Sequence, residues 1–118
     1  MMAKPSLLFV DDEQEILDLL VLVFRDCDTA TALNADSALE LLNRQRFDVL
    51  VTDIKMPGGR GLGLIDDARK IRPDLPIIVI TGHYQEMPDG GQDKIREWIL
   101  KPFGMDTIRE AVMKSLAS

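Results

Sequence analysis

Val49-Leu50-Val51-Thr52-Asp53-Ile54-Lys55-Met56-Pro57 is the stretch whose reading decides the fold. A run of aliphatic, mostly β-branched residues ends on one acid, and a loop rich in proline and glycine (Pro57, Gly58, Gly59, Gly61) follows. An apolar run without polar alternation is the pattern of a strand buried on both faces. Three other runs end the same way: Leu7 to Val10 in Asp11-Asp12, Ile77 to Ile80 in Thr81-Gly82, and Trp98 to Leu100 in Lys101-Pro102. In an open parallel sheet the C-terminal strand ends share one edge, and ligands bind there.

The chain has 118 residues, enough for one domain with a real core, and it is expected to be a single domain over 1–118. A hydrophobic content of 46% with 29% charged residues is that of a soluble globular protein. The formal net charge of -6 argues against direct binding to nucleic acid, which needs clustered Lys and Arg. Cys27 is the single cysteine, so no internal disulfide can form, and it reads as a reduced, packed thiol. The apolar run after Lys4-Pro5 is short and stops at acids, so no signal peptide is expected. The densest apolar stretch, Ile16 to Phe24, is too short to span a bilayer and contains Asp18. A cytoplasmic location with no membrane contact is expected.

Taken in order, residues 6–10 read as the first strand. Gln14 to Arg25 has helical periodicity, with Ile16, Leu17, Leu20, Val23 and Phe24 on one face. Leu19, Val21 and Leu22 widen that face, which fits either a deeply covered helix or an apolar patch that docks a partner helix. Asp28 to Leu33 is a weakly hydrophobic strand suited to a sheet edge. Asn34 or Asp36 can cap a helix over Ser37 to Gln45 that buries Ala38, Leu41 and Leu42. The third strand runs from about Asp48 to Asp53. Leu62 to Ile71 follows as a helix burying Leu62, Ile65 and Ala68, with Ile71 at its end, stopped before Pro73.

Ile77 to Thr81 is the fourth strand. Pro88, Gly90 and Gly91 oppose a helix over 83–93, so a loop is expected, with a short helical turn around Gln92 to Arg96. A fifth strand over 97–100 leads to Lys101-Pro102, and Asp106 to Leu116 forms a last helix burying Ile108, Ala111 and Val112. Strands alternating with helices across short loops give an α/β fold with a parallel sheet covered on both faces.

The acids pose an electrostatic problem. Asp11, Asp12 and Asp53 are brought close if their strands are neighbours, and mutual repulsion raises their pKa values. With oxygen ligands and no His or Cys nearby, a hard divalent cation resolves it, and Mg²⁺ is the natural choice. Lys101 adds a cation and Thr81 a hydroxyl at the same predicted edge. Those groups around one carboxylate suit a phosphoryl group, whose transfer depends on positioning and charge neutralisation. A carboxylate can itself be the nucleophile, and Asp53 is the best candidate because it stands alone and opens a loop.

Val10-Asp11-Asp12-Glu13, Asp53-Ile54-Lys55-Met56-Pro57-Gly58, Gly61-Leu62, Pro76 to Gly82 and Lys101-Pro102-Phe103 together resemble the receiver domain of two-component response regulators over essentially the whole chain. The resemblance implies a flavodoxin-like (βα)5 three-layer sandwich with a five-stranded parallel sheet of order 2-1-3-4-5. It implies that Asp53 accepts a phosphoryl group from a histidine kinase or histidine phosphotransfer protein. Asp12, Asp53 and the backbone carbonyl of Lys55 would ligate Mg²⁺, and Asp11 would hold a metal-bound water. Lys101 would pair with phosphoryl oxygens, Thr81 would turn inward to bond them, and Trp98 would move inward as a switch. The Lys101-Pro102 peptide would be cis. The domain would act catalytically only on its own aspartate, and the output partner stays unnamed.

The chain departs from the family pattern at His83 to Asp93, where a fourth helix is usual. An altered output surface follows, and the family's common homodimer through that face carries over less directly. Trp98 stands where Tyr or Phe is usual, and its alternative role is a strand residue packed on the last helix. Lys55 and His83 occupy positions that the resemblance ties to dephosphorylation, although Lys55 also reads as solvated and His83 as a polar loop residue.

Other functions fit less well. A scaffold acting only by protein contact leaves the acid set unexplained. A flavodoxin-like electron carrier needs a Ser/Thr/Gly-rich phosphate cradle after the first strand, where this chain has acids. A small phosphatase with an aspartyl nucleophile needs a cap or substrate pocket.

Overall fold

A computed structural model of the chain describes residues 4–54, 61–82 and 95–117, with the backbone alone for residues 61 and 62. The elements are β1 (Ser6–Val10), α1 (Gln14–Val23), β2 (Asp28–Ala32), α2 (Ala35–Arg44), β3 (Val49–Asp53), α3 (Gly61–Ile71), β4 (Ile77–Thr81), β5 (Glu97–Leu100) and α4 (Met105–Ala117). The strands form one sheet in the order β2-β1-β3-β4-β5, and every pairing is parallel. This is the flavodoxin-like arrangement. All five residues of both β3 and β4 are buried, which explains their unbroken apolar sequence. β2, with its Thr and Ala residues, is an edge strand.

The sheet separates two apolar layers. On one face Leu8, Val10, Leu50, Ile77 and Val79 pack with Ala38 and Leu42 of α2 and Leu64, Ile65 and Ala68 of α3. On the other, Leu7, Phe9, Val49, Val51, Ile78 and Ile80 pack with Leu17 and Leu20 of α1 and Ile108, Ala111 and Val112 of α4. Each fully buried Leu, Ile or Phe is worth about 1.5–3 kcal/mol. An exposed ion pair such as Arg44–Glu40 at 2.8 Å is worth about 0–1 kcal/mol. The two layers therefore hold the fold, and the surface pairs adjust it.

Asn34 is the cap of α2, its side-chain oxygen accepting from the Ser37 N–H at 2.8 Å. The helix therefore starts at Ala35, two residues before the position read from sequence. Helix α1 ends at Val23, earlier than Arg25, because the Phe24 N–H already closes on the Leu20 carbonyl as the C-cap. Leu64, which the sequence reading left out, is fully buried in α3, whereas the Leu62 side chain lies outside the description.

Two of the alternatives left open by the sequence are excluded. Helix α1 is not deeply covered along its widened face: Leu22 is 61% exposed and Val21 38%. Trp98 does not pack on the last helix. It lies against the layer built by α2 and α3, on the opposite side of the sheet from α4, because it pairs in register with Val79 of that layer. The expected loop over 83–93 lies wholly outside the described residues.

Candidate functional site

The sheet order makes β1 and β3 neighbours while their following helices, α1 and α3, lie on opposite faces. The chain parts at that point, leaving a crevice at the C-terminal strand ends. Val10 pairs with Thr52, so the next residues, Asp11 and Asp53, emerge side by side. Both are buried, at 1% and 5% exposure. Asp11 is held by its own N–H donating to the Ala32 carbonyl at 3.2 Å, and its Oδ1 accepts from the Glu13 N–H at 2.9 Å.

Lys101 reaches this crevice from the end of β5. Its Nζ donates to Asp53 Oδ2 at 2.8 Å and lies 3.1 Å from Asp11 Oδ2. It also donates to Glu13 Oε1 at 3.4 Å. Burial opposes the charge on Lys101, but the bonds to Asp53 and Asp11 overcome it and hold the ammonium pKa above its ordinary value. Burial pushes the Asp11 carboxyl up, against the opposing pull of the Glu13 N–H and Lys101. The Lys101-Pro102 peptide is cis, as expected.

Thr81 ends β4 and is fully buried. Its carbonyl accepts from the Lys101 N–H at 2.8 Å, which ties the hydroxyl-bearing residue to the backbone that carries the cation. Trp98, three residues before Lys101, is half-buried, and its indole Nε1 is buried with no hydrogen-bond partner among the described residues.

Asp11, Asp12 and Glu13 each offer a carboxylate oxygen within 4.8 Å of the others. Asp11 Oδ2 is buried and faces the Lys101 ammonium at 3.1 Å, with no well-aligned hydrogen bond among the described residues. A buried carboxylate oxygen held only by that ion pair, beside two exposed carboxylates, fits a hard divalent cation. Asp53 is not among those three; it meets Asp11 through their shared ammonium. Lys55 and His83 lie outside the described residues.

Two side chains at the site had no role in the sequence reading. Glu13 was visible only as part of the Asp-Asp-Glu run, and its contact with Lys101 spans 88 residues. Thr52 is fully buried, and its hydroxyl donates to the Asp53 carbonyl oxygen at 3.0 Å, fixing the backbone beside the acid. A lone Thr in a strand run carries no signal for that bond.

The response regulator receiver domain family matches residues 7–113. The chain is 32% identical to the response regulator protein PilR of Pseudomonas aeruginosa over 98% of its length, and spans 27% of that protein. About a quarter of the length is likewise spanned in several other curated relatives, transcriptional regulatory proteins among them. It is 31% identical to sporulation initiation phosphotransferase F of Bacillus subtilis, covering 98% of this chain and 96% of that one. Among solved structures, response regulator protein TrrA of Thermotoga maritima, in complex with Mg²⁺–BeF, superposes with a TM-score of 0.86 at 32% identity, over 95% of this chain and 99% of that one. With the sheet order, the paired acids and the cis-proline lysine, these matches carry one conclusion: the chain belongs to the response regulator receiver domains.

Proposed function

We propose that Asp53 is the phosphoacceptor of this receiver domain, that Lys101 neutralises the transferred phosphoryl group, and that Thr81 and Trp98 transmit its arrival. The domain is a Mg²⁺-dependent phosphoacceptor signalling module whose chemistry is on its own carboxylate. The observation that carries the residue assignment is the buried Asp53 carboxylate bonded at 2.8 Å to the Lys101 ammonium at the β1/β3 crevice. Asp11, Asp12, Asp53 and the backbone carbonyl of Lys55 are the assigned Mg²⁺ set, with Asp11 acting through a bound water. The cluster of Asp11, Asp12 and Glu13 carboxylates and the metal in the TrrA complex support it.

A carboxylate oxygen of Asp53 forms the new O–P bond as the N–P bond of a phosphohistidine breaks, and the imidazole nitrogen keeps the electron pair. The Asp53 backbone does not have to reorganise, because strand β3 and the Thr52 hydroxyl hold it. Lys101 already sits where charge develops, so little reorganisation is needed at the moment of transfer. The divalent ion, when bound, offsets the repulsion between the carboxylates and the phosphoryl oxygens. The acyl phosphate carries about two negative charges where the carboxylate carried one, and spreads them over three oxygens. Lys101 then turns from carboxylate to phosphoryl oxygen, and the Thr81 hydroxyl turns inward to bond the phosphoryl group, with Trp98 following it.

The donor assigned is a histidine kinase or histidine phosphotransfer protein, as the family membership supports. The 118 residues are assigned as a single receiver domain on the cytoplasmic side of the cell. Among the described residues no helix is long and apolar enough to cross a membrane. A homodimer is compatible with this function, and the face the family commonly uses includes the segment outside the description.

Intact mass after incubation with acetyl phosphate tests the assignment. A gain of one phosphoryl group with Mg²⁺, absent with chelator and absent in Asp53→Asn, is the expected result. A gain that persists in Asp53→Asn would refute it.

A further inference from the structure

Among the described residues three carboxylates share the Lys101 ammonium, and they are not equivalent. Asp53 at 2.8 Å and Asp11 at 3.1 Å are held in the buried crevice, with side chains 6% and 2% exposed. Glu13 at 3.4 Å stands on the rim, with its side chain 60% exposed. Glu13 is also the N-cap residue of α1, yet its side chain caps nothing. An acid there ordinarily serves the orphan N–H groups of its own helix. Here the side chain leaves them and reaches to the cation of the crevice. Its backbone N–H is meanwhile fixed to Asp11 Oδ1, so the carboxylate is anchored at its root and free at its tip.

We propose that Glu13 is a positioning residue that restrains phosphorylation by competing for Lys101 and holding a negative charge at the mouth of the site. The inference rests on Asp53 being the acceptor. Lys101 has three N–H donors, and each one spent on Glu13 is withheld from the phosphoryl oxygens. The Glu13 charge also repels an incoming phosphoryl donor, which is itself anionic. Both effects act in the same direction, so neutralising Glu13 speeds the reaction. Metal ligation by Glu13, the competing role for an acid in this cluster, acts in the opposite direction.

The test compares wild type, Glu13→Gln, Glu13→Asp and Asp53→Asn in phosphorylation rate with acetyl phosphate at saturating Mg²⁺, at low and high salt. Mg²⁺ affinity by calorimetry and thermal stability are measured on the same proteins. Glu13→Gln is expected to react about two- to fivefold faster at low salt, the worth of one exposed charge interaction, with the gain shrinking as salt screens it. Glu13→Asp keeps the charge and is expected to stay near wild type. Mg²⁺ affinity is expected to fall by no more than the loss of one nearby charge, about a few-fold at low salt and less at high salt, and stability to be unchanged. A slower Glu13→Gln with weakened Mg²⁺ binding would make Glu13 a metal ligand and overturn the proposal. An unchanged or reduced rate at unaltered Mg²⁺ affinity would also overturn it. If wild type phosphorylates equally in Asp53→Asn, the acceptor assignment has failed instead, and that outcome is read separately from the Glu13 comparison.

Discussion

The Lys101 ammonium binds Asp53 Oδ2 at 2.8 Å while lying 3.1 Å from Asp11 Oδ2, so one cation already occupies the place between two buried acids. It lowers the repulsion that a divalent ion would otherwise relieve alone, and in the proposed mechanism it passes to the phosphoryl oxygens.

Removing that cation separates its two roles. Lys101→Ala is expected to slow phosphorylation of Asp53 by about a hundredfold, the usual cost of losing one preorganised charge-stabilising group. Mg²⁺ should bind more tightly to the variant, because the acids lose their internal counter-ion. Rates with acetyl phosphate and calorimetric Mg²⁺ titrations check both, and weaker Mg²⁺ binding would contradict the competition between the two cations.

The Asp11 carboxylate is buried and its pKa is pushed up by that burial, so its ionised form costs stability when no divalent ion is present. Asp11→Asn retains an oxygen for the Glu13 N–H and removes the charge. Its melting temperature without Mg²⁺ is expected to exceed that of wild type by a few degrees. Adding Mg²⁺ should stabilise wild type and have little effect on the variant. Thermal unfolding with Mg²⁺ and with chelator measures this.

A second charge contact lies away from the site. Arg109 of α4 donates to both Asp26 oxygens at 2.7 and 3.2 Å and to the Val23 carbonyl at 3.0 Å, and stands 5.6 Å over the Phe24 ring. The bond from Arg109 holds the Asp26 carboxyl below its ordinary value of 3.8. A depressed carboxylate contributes stability above its unfolded pKa and loses it as pH falls through the folded one. Arg109→Met is therefore expected to melt lower than wild type at neutral pH, with the gap narrowing as the solution is taken below that value. A gap independent of pH would assign the effect to the Val23 and Phe24 contacts and not to Asp26.

Trp98 offers a direct view of switching. Its indole N–H is buried without a partner among the described residues, so a small shift of the ring changes its surroundings. Fluorescence is expected to change when beryllofluoride and Mg²⁺ are added. In Thr81→Ala the change should be lost while phosphorylation on Asp53 persists. An equal response in Thr81→Ala would uncouple the two residues.

What the sequence makes legible follows from how each residue advertises itself. Asp11, Asp53, Thr81 and Lys101 each end an apolar run, and a parallel sheet collects strand ends at one edge, so the crevice could be read from spacing. The side of the sheet taken by Trp98 could not. Four residues on an edge strand, three of them only partly buried, carry too little alternation to mark their sides, and only the register with Val79 settles it. Glu13 meets Lys101 across 88 residues, and Arg109 meets Asp26 across 83. Such pairs depend on rotamers and helix placement that no local pattern encodes. Leu22 sits in an apolar run that fits both a covered helix and an exposed patch, and helical geometry turns it to solvent.

The central claim is that Asp53 carries the phosphoryl group. Borohydride reduction of the phosphorylated protein converts an aspartyl-phosphate to homoserine, and peptide sequencing by mass spectrometry then locates it. Homoserine at position 53, found only after incubation with phosphodonor and Mg²⁺, is the predicted result. Homoserine at position 11 or 12 instead, or none at all in protein shown by mass to be phosphorylated, would contradict it.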